Sequence, residues 1–376
     1  MKIFYFIEGT FNSGGIERII INKANWLASK GHDVFLITTE QNGRDDFFPL
    51  ENVTRIDFDL MYSRKTGNFL KDYLNTRKLI KTEKKLIEKL IEEKQPDIMI
   101  STFRYENFIL PELKDNSKKI AEIHFSRSFR LNRKRKGITR LKDIWLTKQD
   151  IKQAKKFEKF ICLTKEDKLN WKGLSNISVI NNFIENKTSK PAELNNKSFI
   201  AVGRLSYEKG FDRLIDAWKI LNEKFPEWKL QIYGSGPLKS TLEEQINNLG
   251  LNNYVNINPP TKNIHQKYLE NSGLIISSHY EGLPMVMLEA MEAGLPIISF
   301  DFKCGPKDVI INEKNGLIIK NNDIKGLAGA IERLIIDDNL RKKMGNYSFI
   351  MAKKYYKELI MKQWDDLFQT LTNKKN

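Results

Sequence analysis

The sequence predicts an α/β protein built from two doubly wound parallel sheets. Its 376 residues exceed the usual size of a single hydrophobic core, which favours two domains. Short apolar runs alternate with amphipathic segments, a pattern typical of parallel strands joined by right-handed helical crossovers. The pattern also starts twice, once at the N-terminus and again near residue 198. We therefore predict two Rossmann-like domains.

The first half opens with a strand, a glycine turn and a helix. The run KIFYFIE (2–8) predicts a strand, and the loop containing SGG leads into the amphipathic stretch IERIIINKANWLASKGH. A second strand, DVFLITT (33–39), follows directly. The glycine turn therefore lies at the carboxyl end of the first strand.

The second half repeats this order. SFIAVGR predicts a strand, LSYEKG a loop, FDRLIDAWKILNEKF a helix and WKLQIYG (228–234) a second strand. YVNI, LIISS, PIISF and GLIIK predict further strands. The polar, Pro-containing segment 185–197 is the natural junction, so we expect domains at 1–188 and 197–350.

Composition argues against a membrane-spanning or disulfide-linked protein. No apolar run approaches the 18 or so residues that a spanning helix needs, and MKIFYFIEGT reads as a strand rather than a signal peptide. We expect a cytoplasmic protein. Cys162 and Cys304 are predicted to be free thiols, and no Cys/His cluster suggests zinc.

Positive charge is concentrated in the first half. The net charge is +16, and residues 1–190 hold 38 Lys and Arg against 25 Asp and Glu. Segment 127–160 alone holds 13 basic and 3 acidic residues, including the run RKRK at 133–136. A solvated face, an anionic membrane surface and nucleic acid could each explain it.

The apolar residues within this basic segment favour a membrane surface over nucleic acid. Trp145 lies among the charges with four aliphatic neighbours, a composition typical of interfacial segments. Those neighbours are Ile138, Leu141, Ile144 and Leu146. No zinc-finger or RNA-recognition motif is present, so we expect no nucleic-acid partner and a peripheral position at the inner face of the cell membrane.

Two carboxylates flank the start of a predicted helix in 277–296, SSHYEGLPMVMLEAMEAGLP. Pro284 fits the first helical turn and Gly294 marks the end of the helix. Glu281 then lies in the entering loop and Glu289 within the helix. Carboxylates accept paired hydrogen bonds from vicinal hydroxyls, and a helix N-terminus favours a phosphate, so the segment suits a phosphorylated sugar ligand.

Three further loops follow predicted strands, where ligands bind in open α/β sheets. FNSGGIER (11–18) offers Gly14 and Gly15 for close backbone approach to a phosphate, although a GG turn alone is more often only a turn. In VGRLSYEKG (202–210), Arg204 and Lys209 could hold a diphosphate from two sides. YGSGP (233–237) contributes Gly234 and Gly236, again with a simple turn as the alternative.

His124 follows a predicted buried strand, IAEIHFS. A lone histidine is usually a satisfied core residue, but a strand-end position makes this ring a candidate for contact with a reacting group. His32 is better explained as structural, and His265 and His279 have no predicted role.

Asp57 and Asp59 match the Asp-x-Asp pattern of many metal-dependent sugar transferases. They lie in VTRIDFDL, whose apolar alternation predicts an ordinary strand and its exit. We therefore expect no metal site there.

Taken together, these motifs resemble the family 4 retaining glycosyltransferases of the GT-B fold. EGLPMVMLEAMEAGLPII is the most specific part, GRLSYEKG and SGGIER support it, and the resemblance spans residues 1 to about 350. The segment SFDFKCGPKDVI is similar to enzymes that build bacterial capsule, lipopolysaccharide and other surface glycans. The resemblance implies two Rossmann-like domains facing each other across a cleft, the N-terminal one binding the acceptor and the C-terminal one the nucleotide-sugar. It also implies no bound metal or cofactor and a final helix, about 351–372, that returns to the first domain and completes it with 351–376.

The family pattern gives each matching residue an expected role. Glu289 would bind the ribose and Glu281 the transferred sugar, while Arg204 and Lys209 would neutralise the diphosphate and His124 would lie near the donor sugar. Arg204, Lys209, Glu281 and His124 are therefore the expected catalytic residues. The residues expected to bind the donor are Gly14, Gly15, Gly203, Gly234, Gly236, Glu281, Gly282, Leu283, Pro284 and Glu289. Uridine is the commoner nucleotide in such relatives, and the acceptor would be a glycan, possibly lipid-linked.

Two other classes stay open at this stage. A nucleotide-sugar epimerase with the same two-domain layout would share the donor-binding residues. A non-enzymatic nucleic-acid-binding protein would explain the net charge of +16 but would leave the helix with two glutamates without a purpose.

Overall fold

The computed structural model describes residues 1–12, 14–64, 66–132, 136–185 and 188–372. The chain divides into two compact units. The first contains Met1–Leu163, Lys168–Ile180 and the chain from Met361 onward, and the second contains Thr164–Asp167 and Asn181–Ile360. The change of unit at residue 180 precedes the polar segment 185–197 that composition favours as the junction.

The first unit contains a seven-stranded, entirely parallel sheet with the order β3-β2-β1-β4-β5-β6-β7. The strands are β1 (Lys2–Ile7), β2 (Asp33–Thr38), β3 (Thr54–Asp57), β4 (Ile98–Ser101), β5 (Lys118–Glu122), β6 (Lys159–Cys162) and β7 (Ile177–Val179). The order reverses at β1, as in a doubly wound fold, so the carboxyl ends of β1, β4 and β5 lie side by side.

The helices of the first unit connect these strands. They are α1 (Gly15–Ser29), α2 (Phe69–Lys94), α3 (Phe129–Asn132) and α4 (Gly137–Ala154), with α5 (Lys165–Asn170) at the passage between the units. Short 3-10 turns cover Tyr105–Phe108 and Leu110–Glu112. α2 begins at a true cap, because the Asn68 side chain accepts a hydrogen bond from the backbone N–H of Lys71 at 3.1 Å.

The second unit contains a six-stranded parallel sheet with the order β10-β9-β8-β11-β12-β13. Its strands are β8 (Ser198–Val202), β9 (Lys229–Tyr233), β10 (Val255–Asn258), β11 (Leu274–Ile276), β12 (Ile297–Asp301) and β13 (Gly316–Lys320). Its helices are α6 (Phe211–Leu221), α7 (Lys239–Asn248), α8 (Ile264–Leu269), α9 (Met285–Glu292), α10 (Pro306–Val309), α11 (Ile324–Ile336) and α12 (Asp338–Ala352). The two doubly wound sheets predicted from the sequence are thus confirmed.

The chain ends on a helix that begins after a break. α12 ends at Ala352, a 3-10 turn follows, and the last helix, α13, covers Lys357–Thr372 rather than starting near residue 351. From Met361 onward its residues belong to the first unit, where Trp364 is buried beneath the ammonium group of Lys23.

Two negative expectations concern the cysteines and the membrane. Cys162 and Cys304 are both buried and are not joined in a disulfide, as predicted. In the described ranges, no helix combines the length and the apolar character needed to cross a bilayer.

Candidate functional site

Three loops of the second unit meet at the carboxyl end of its sheet. They follow β9, β8 and β11, which are neighbours in the strand order, and they carry the segments 234–237, 203–210 and 277–284. Backbone hydrogen bonds join them: Leu205 N–H donates to the Ser235 carbonyl at 2.9 Å and His279 N–H to the Glu208 carbonyl at 2.8 Å. The motifs identified separately in the sequence therefore form one continuous surface.

The glycines of this surface are required by the packing of one loop on another. A Cβ at Gly234 would lie 1.9 Å from the Gly203 carbonyl oxygen, and one at Gly236 would lie 2.4 Å from the Leu205 carbonyl oxygen. A Cβ at Gly203 would lie 3.1 Å from Cε of Lys209. Since no side chain fits at the first two positions, these glycines fix the loop geometry that presents Arg204 and Lys209.

Lys209 and Glu281 form an ion pair at the centre of the surface. The Lys209 Nζ lies 2.6 Å from the Glu281 Oε1, and the Ser278 hydroxyl donates to the same oxygen at 2.7 Å. Both charged side chains are only partly exposed, at 19% and 14%. This partial burial strengthens the pairing and holds both side chains in place.

The local backbone explains why Lys209 reaches Glu281. Lys209 ends the 3-10 turn Tyr207–Lys209, and Gly210 follows with φ of 60°, a conformation that favours glycine. A Cβ at Gly210 would lie 2.4 Å from the carbonyl oxygen of Ser277, so the turn packs directly on the loop after β11. Arg204, at the other end of the same loop, is exposed to solvent.

Residues 282–284 lead into α9. Pro284 is the N-cap residue and the helix begins at Met285, one position later than the sequence indicates. The loop before α10 packs on this turn, because a Cβ at Gly305 would lie 3.0 Å from the Pro284 Cδ and 3.3 Å from the Gly282 carbonyl oxygen. α9 begins four residues after Glu281, at the end of the loop that carries this carboxylate.

Glu289 lies within α9 and is held by a tyrosine that sequence reasoning missed. The hydroxyl of Tyr268, a fully buried residue of α8, donates to the Glu289 Oε2 at 2.9 Å. No sequence signal identifies Tyr268, which is separated from Glu289 by 21 residues. Ser278 was also missed, although its position three residues before Glu281 could have suggested the contact.

Of the remaining predicted residues, His124 lines a small cavity in the first unit, and the helix that begins at Gly15 contributes other lining residues. The cavity lies at the carboxyl ends of β1, β4 and β5 and is lined by Ile7, Glu8, Ile16, Glu17, Thr102, Arg104, His124 and Phe125. Gly14 is the N-cap of α1 and Gly15 its first residue. The Glu17 carboxylate folds back over Gly14, where a Cβ would lie 2.1 Å from its Oε2.

The carboxylates of this cavity were not identified from the sequence. Burial raises the pKa of Glu17, although its hydrogen bonds and the positive charge of Arg104 oppose the shift. Arg104 Nη2 lies 3.4 Å from the Glu8 Oε2. The cavity therefore presents both signs of charge beside His124.

His124 is joined to a buried ion pair. Its Nε2 lies 3.0 Å from the Glu122 Oε1, and the same oxygen lies 2.5 Å from Nζ of Lys23. Tyr5 donates a hydrogen bond to the other Glu122 oxygen. Burial alone would raise the pKa of Glu122, but the charge of Lys23 and the neighbouring His124 ring hold that pKa well below its usual range.

The structure gives Asp57 a backbone-organising role. Asp57 accepts hydrogen bonds from the Thr38 hydroxyl at 2.9 Å and from the Asn42 N–H at 3.2 Å. In the part of the chain that the structure covers, no group of three His, Cys, Asp or Glu side chains is arranged to hold a metal ion.

The structure describes only part of the basic segment 127–160. Residues 133–135 of its RKRK run lie outside the described residues, as does the side chain of Ile138. α4 leaves Leu141, Ile144 and Trp145 exposed, by 67%, 38% and 58%.

Comparison with known proteins assigns the chain to a family. The model "Glycosyltransferase Family 4" matches residues 13–187, and "Glycosyl transferases group 1" matches residues 182–351. A glycosyltransferase of Haemophilus influenzae, described as uncharacterized, is 32% identical over 96% of this chain and 98% of its own length. The chain belongs to the family 4 glycosyltransferases.

Other relatives have names that state what they act on. The amylovoran biosynthesis glycosyltransferase AmsD of Erwinia amylovora is 28% identical over 97% of this chain and 99% of its own. An alpha-1,4-N-acetyl-D-galactosaminyltransferase of Campylobacter jejuni, named for a glycan on diphosphoundecaprenol, is 26% identical over 99% of each.

Solved structures show the same fold at low sequence identity. A crystal structure of a Staphylococcus aureus TarM mutant, in complex with fondaparinux, alpha-GlcNAc-glycerol and UDP, superposes with a TM-score of 0.77, at 18% identity, over 98% of this chain and 99% of that one. This likeness confirms the predicted GT-B fold.

Proposed function

We propose that the protein is a retaining glycosyltransferase that moves a hexosyl or N-acetylhexosaminyl residue from a nucleotide-sugar to a growing bacterial surface glycan. The observation that carries this is the Lys209–Glu281 ion pair at the start of α9, with Glu289 in the same helix. It combines a cation for a diphosphate, a carboxylate for sugar hydroxyls and a helix N-terminus for a phosphate. The names of the bacterial relatives support the glycan acceptor.

Each site residue of the second unit has a separate role in the proposed reaction. Glu289, oriented by Tyr268, accepts hydrogen bonds from the ribose hydroxyls of the donor. Glu281 does the same for the transferred sugar, and Arg204 and Lys209 stabilise the diphosphate. In the first unit, the N-terminal glycines of α1 and the cavity containing His124 are the proposed contacts for the phosphate and the reacting sugar.

The chemical step exchanges one glycosidic bond for another. The bond from the sugar C1 to the diphosphate oxygen breaks and its electron pair stays with the diphosphate, where negative charge increases. Arg204 and Lys209 stabilise that charge, and contacts of this kind contribute about 3–4 kcal/mol each. The acceptor hydroxyl forms the new C1–O bond on the same face and transfers its proton to the leaving phosphate, so the anomeric configuration is retained.

The donor is proposed to be a UDP-sugar and the acceptor a lipid-linked glycan. UDP in the TarM complex supports the first, and the diphosphoundecaprenol in the name of the Campylobacter relative supports the second. A thermal-shift screen with UDP, GDP and ADP tests the nucleotide. The correct one, at 100 times its dissociation constant, stabilises the fold by about 2.7 kcal/mol.

Substitution at the site tests the assignment directly. Glu289→Ala and Arg204→Ala should each remove most transfer without unfolding the protein, since one loses the ribose contact and the other a diphosphate cation. Glu243→Ala, an exposed position on α7, is the control and should keep wild-type turnover. Near-wild-type turnover of either site variant with saturating donor would refute the assignment, and an inverted anomeric signal in the NMR spectrum of the product would refute retention.

The basic segment 127–160 is proposed to hold the enzyme at an anionic membrane where a lipid-linked acceptor resides. In α4 the exposed Leu141, Ile144 and Trp145 lie at helical spacing, and Lys148 and Lys152 continue the same face. Leu141→Ser with Trp145→Ser should weaken binding to phosphatidylglycerol vesicles while leaving hydrolysis of the donor unchanged. Unaltered vesicle binding by this variant would show that α4 is only a solvated face.

A further inference from the structure

We propose that the N-terminal half of α2 is a second membrane-contact surface, which acts together with α4 to hold the first unit on an anionic bilayer. The proposal rests on the peripheral membrane position proposed above and assigns it a surface that lies outside the basic segment. Its evidence is independent, because α2 is separated from that segment by two strands and two 3-10 turns.

The beginning of α2 exposes large apolar side chains that a soluble helix normally buries. Leu70 is 70% exposed, Tyr73 51% and Leu74 64%. These positions are spaced i, i+3 and i+4, so the three side chains lie on one face of the helix. An apolar trio of this size is unusual on a surface that contacts only water.

Basic residues continue the same face. Arg77, Lys78 and Lys81 follow Leu70 by seven, eight and eleven residues, and all three are exposed. Asp72, an acid near the trio, accepts hydrogen bonds from the backbone N–H and hydroxyl of Thr66 at 2.8 and 2.7 Å, at the start of the helix. The face thus changes from apolar to cationic along its length, as in helices that lie in a membrane interface.

α4 has the same construction. Its exposed apolar residues are also spaced i, i+3 and i+4, and its exposed Lys148 and Lys152 follow Leu141 by seven and eleven residues. Two helices of one unit therefore carry the same order of apolar and basic positions.

The two helices lie on the same face of the sheet. Ile87 and Leu90 of α2 and Ala154 of α4 are buried in one core cluster with Met99 and Phe160 from the strands. Both helices also contact the 3-10 turn Tyr105–Phe108, whose Phe108 is 42% exposed. The two helices are therefore members of one layer.

The two trios also lie at the same end of that layer. Each helix follows a strand and precedes the next parallel strand, so each runs back antiparallel to the strands. Their N-terminal halves are then at the carboxyl ends of the strands, the edge of the sheet that carries His124. A bilayer contacting both helices would lie next to the cavity proposed for the reacting sugar.

An anionic bilayer fits this surface better than a protein or a nucleic acid. Basic residues flank both trios and are attracted to an anionic membrane, while leucine and tryptophan insert at the headgroup boundary. Nucleic acid would use the cations but would leave the leucines without a contact. A second copy of the chain would carry the same positive charge on the opposing face and would be repelled.

The test compares two matched pairs of substitutions. Leu70→Ser with Leu74→Ser changes the α2 face, and Ile336→Ser with Ile350→Ser changes residues of the second unit with similar exposure, 67% and 61%. Sedimentation with phosphatidylglycerol vesicles should show about tenfold weaker binding for the α2 pair, since two partly inserted leucines are lost. The control pair should bind as wild type, and donor hydrolysis should be unchanged in both.

The α4 variant separates failure of this proposal from failure of the proposed function. If Leu141→Ser with Trp145→Ser weakens vesicle binding and the α2 pair does not, α2 is not a membrane surface and the peripheral position through α4 stands. If the α2 pair lowers the oligomeric state in solution and leaves vesicle binding intact, the face is an interface between copies and our proposal is overturned. Transfer to a water-soluble acceptor measures the enzymatic function independently of both.

Insertion can also be observed at a single position. Tyr73→Cys can be labelled with an environment-sensitive fluorophore, because the native Cys162 and Cys304 are buried. Its emission should shift to the blue with phosphatidylglycerol vesicles and stay unchanged with phosphatidylcholine vesicles. A label at Ile336→Cys should not shift, and equal emission of the Tyr73→Cys label with and without phosphatidylglycerol vesicles would overturn the proposal.

Discussion

Tyr268 is a buried residue that positions Glu289, the carboxylate that we propose as the ribose contact. It has no exposed surface, and its hydroxyl is directed at the Glu289 Oε2. The bond holds one of the two oxygens of Glu289, so it restricts the rotation of the carboxylate. A carboxylate oriented in advance loses less conformational entropy when it binds a ligand, here the two ribose hydroxyls of the proposed donor.

Tyr268→Phe should therefore weaken donor binding without preventing the reaction. One hydrogen bond contributes about 0.5–1.5 kcal/mol, which corresponds to roughly a twofold to tenfold rise in KM. Because the proposed ribose contact would be the same in the bound donor and in the transition state, kcat should change little. Tyr347→Phe, which removes a hydroxyl from α12, is the control. A large fall in kcat with unchanged KM would contradict the positioning role.

Glu83 is a buried carboxyl in α2 that should make stability depend on pH. Burial, reinforced by the nearby charge of Glu106, raises its pKa from 4.5 to about 8, although the hydrogen bond from the Tyr62 hydroxyl at 2.6 Å opposes the shift. The folded state then binds more protons than the unfolded state between these two values. The stabilising contribution of Glu83 is complete below about pH 4.5 and is lost as the pH rises toward 8.

Glu83→Gln should remove this dependence, since a neutral amide does not ionise. In urea unfolding, the variant should gain free energy of unfolding relative to the wild type as the pH rises from 5 to 8. Glu88→Gln, an exposed position on the same helix, serves as the control. A wild-type pH profile in the Glu83→Gln protein would show that Glu83 does not titrate in this range.

Among the elements, α1, β5 and α13 are joined by the buried side chain of Lys23, which makes an ion pair with one and a cation–ring contact with the other. Lys23 of α1 is 2% exposed, pairs with Glu122 of β5 and lies 3.9 Å from the ring centroid of Trp364 in α13. Burial lowers the pKa of Lys23, and the Glu122 carboxylate opposes that shift. The C-terminal helix is thus attached to the first unit by a charge contact as well as by apolar packing.

Lys23→Ala should destabilise the first unit strongly, because Glu122 would be left buried without its partner. The expected loss in free energy of unfolding is about 3–5 kcal/mol. Lys23→Met combined with Glu122→Leu removes both charges and should be much closer to the wild type. Chemical denaturation of the three proteins measures the difference. Equal destabilisation by the single and the double variant would mean that volume, rather than the unpaired charge, determines the loss.

The elements that follow from local pattern were predicted well, and those that depend on distant contacts were not. The strands β1, β2, β8 and β9 end within about one residue of their apolar runs. The interruption between α12 and α13 was missed. There Ile184 N–H donates to the Tyr355 carbonyl at 2.9 Å and Lys357 N–H to the Ile184 carbonyl at 3.1 Å, which holds the chain extended. A hydrogen-bond partner more than 170 residues away cannot be predicted from the local periodicity of the sequence.

At the scale of the whole molecule, the position of the proposed donor site follows from strand order. The motifs after β8, β9 and β11 could be located in the sequence, and the rule that ligands bind at strand carboxyl ends predicts their meeting. The pairing of Lys209 with Glu281 could not be predicted, because 72 residues separate them and only the strand order makes them neighbours. The buried charges could have been found, since Glu122 interrupts an apolar run and Lys23 lies at helical spacing from Ile20 and Leu27.

Charge balance supports the proposal that this transferase acts without a metal. Departure of a nucleoside diphosphate increases negative charge, and either a metal ion or fixed cations must stabilise it. Arg204 and Lys209 are the cations that we propose for this role, on a loop whose geometry is fixed by Gly234 and Gly236. Asp57, the acid that best matches a metal-binding pattern, is occupied by bonds from Thr38 and Asn42.

We therefore expect transfer to continue in excess EDTA. Because fixed cations stabilise the leaving diphosphate, added Mn²⁺ should not raise the rate, whereas Lys209→Ala should lower kcat/KM by about 10²–10³ as one contact of about 3–4 kcal/mol is lost. Asp57→Asn is the matched control and should retain transfer, since its amide oxygen can still accept the bond from the Thr38 hydroxyl and only the bond from the Asn42 N–H is lost. Initial rates measured with and without chelator decide between the two mechanisms. Loss of activity in EDTA that Mn²⁺ restores, together with an inactive Asp57→Asn variant, would establish a metal-dependent transferase and would reduce Arg204 and Lys209 to auxiliary contacts.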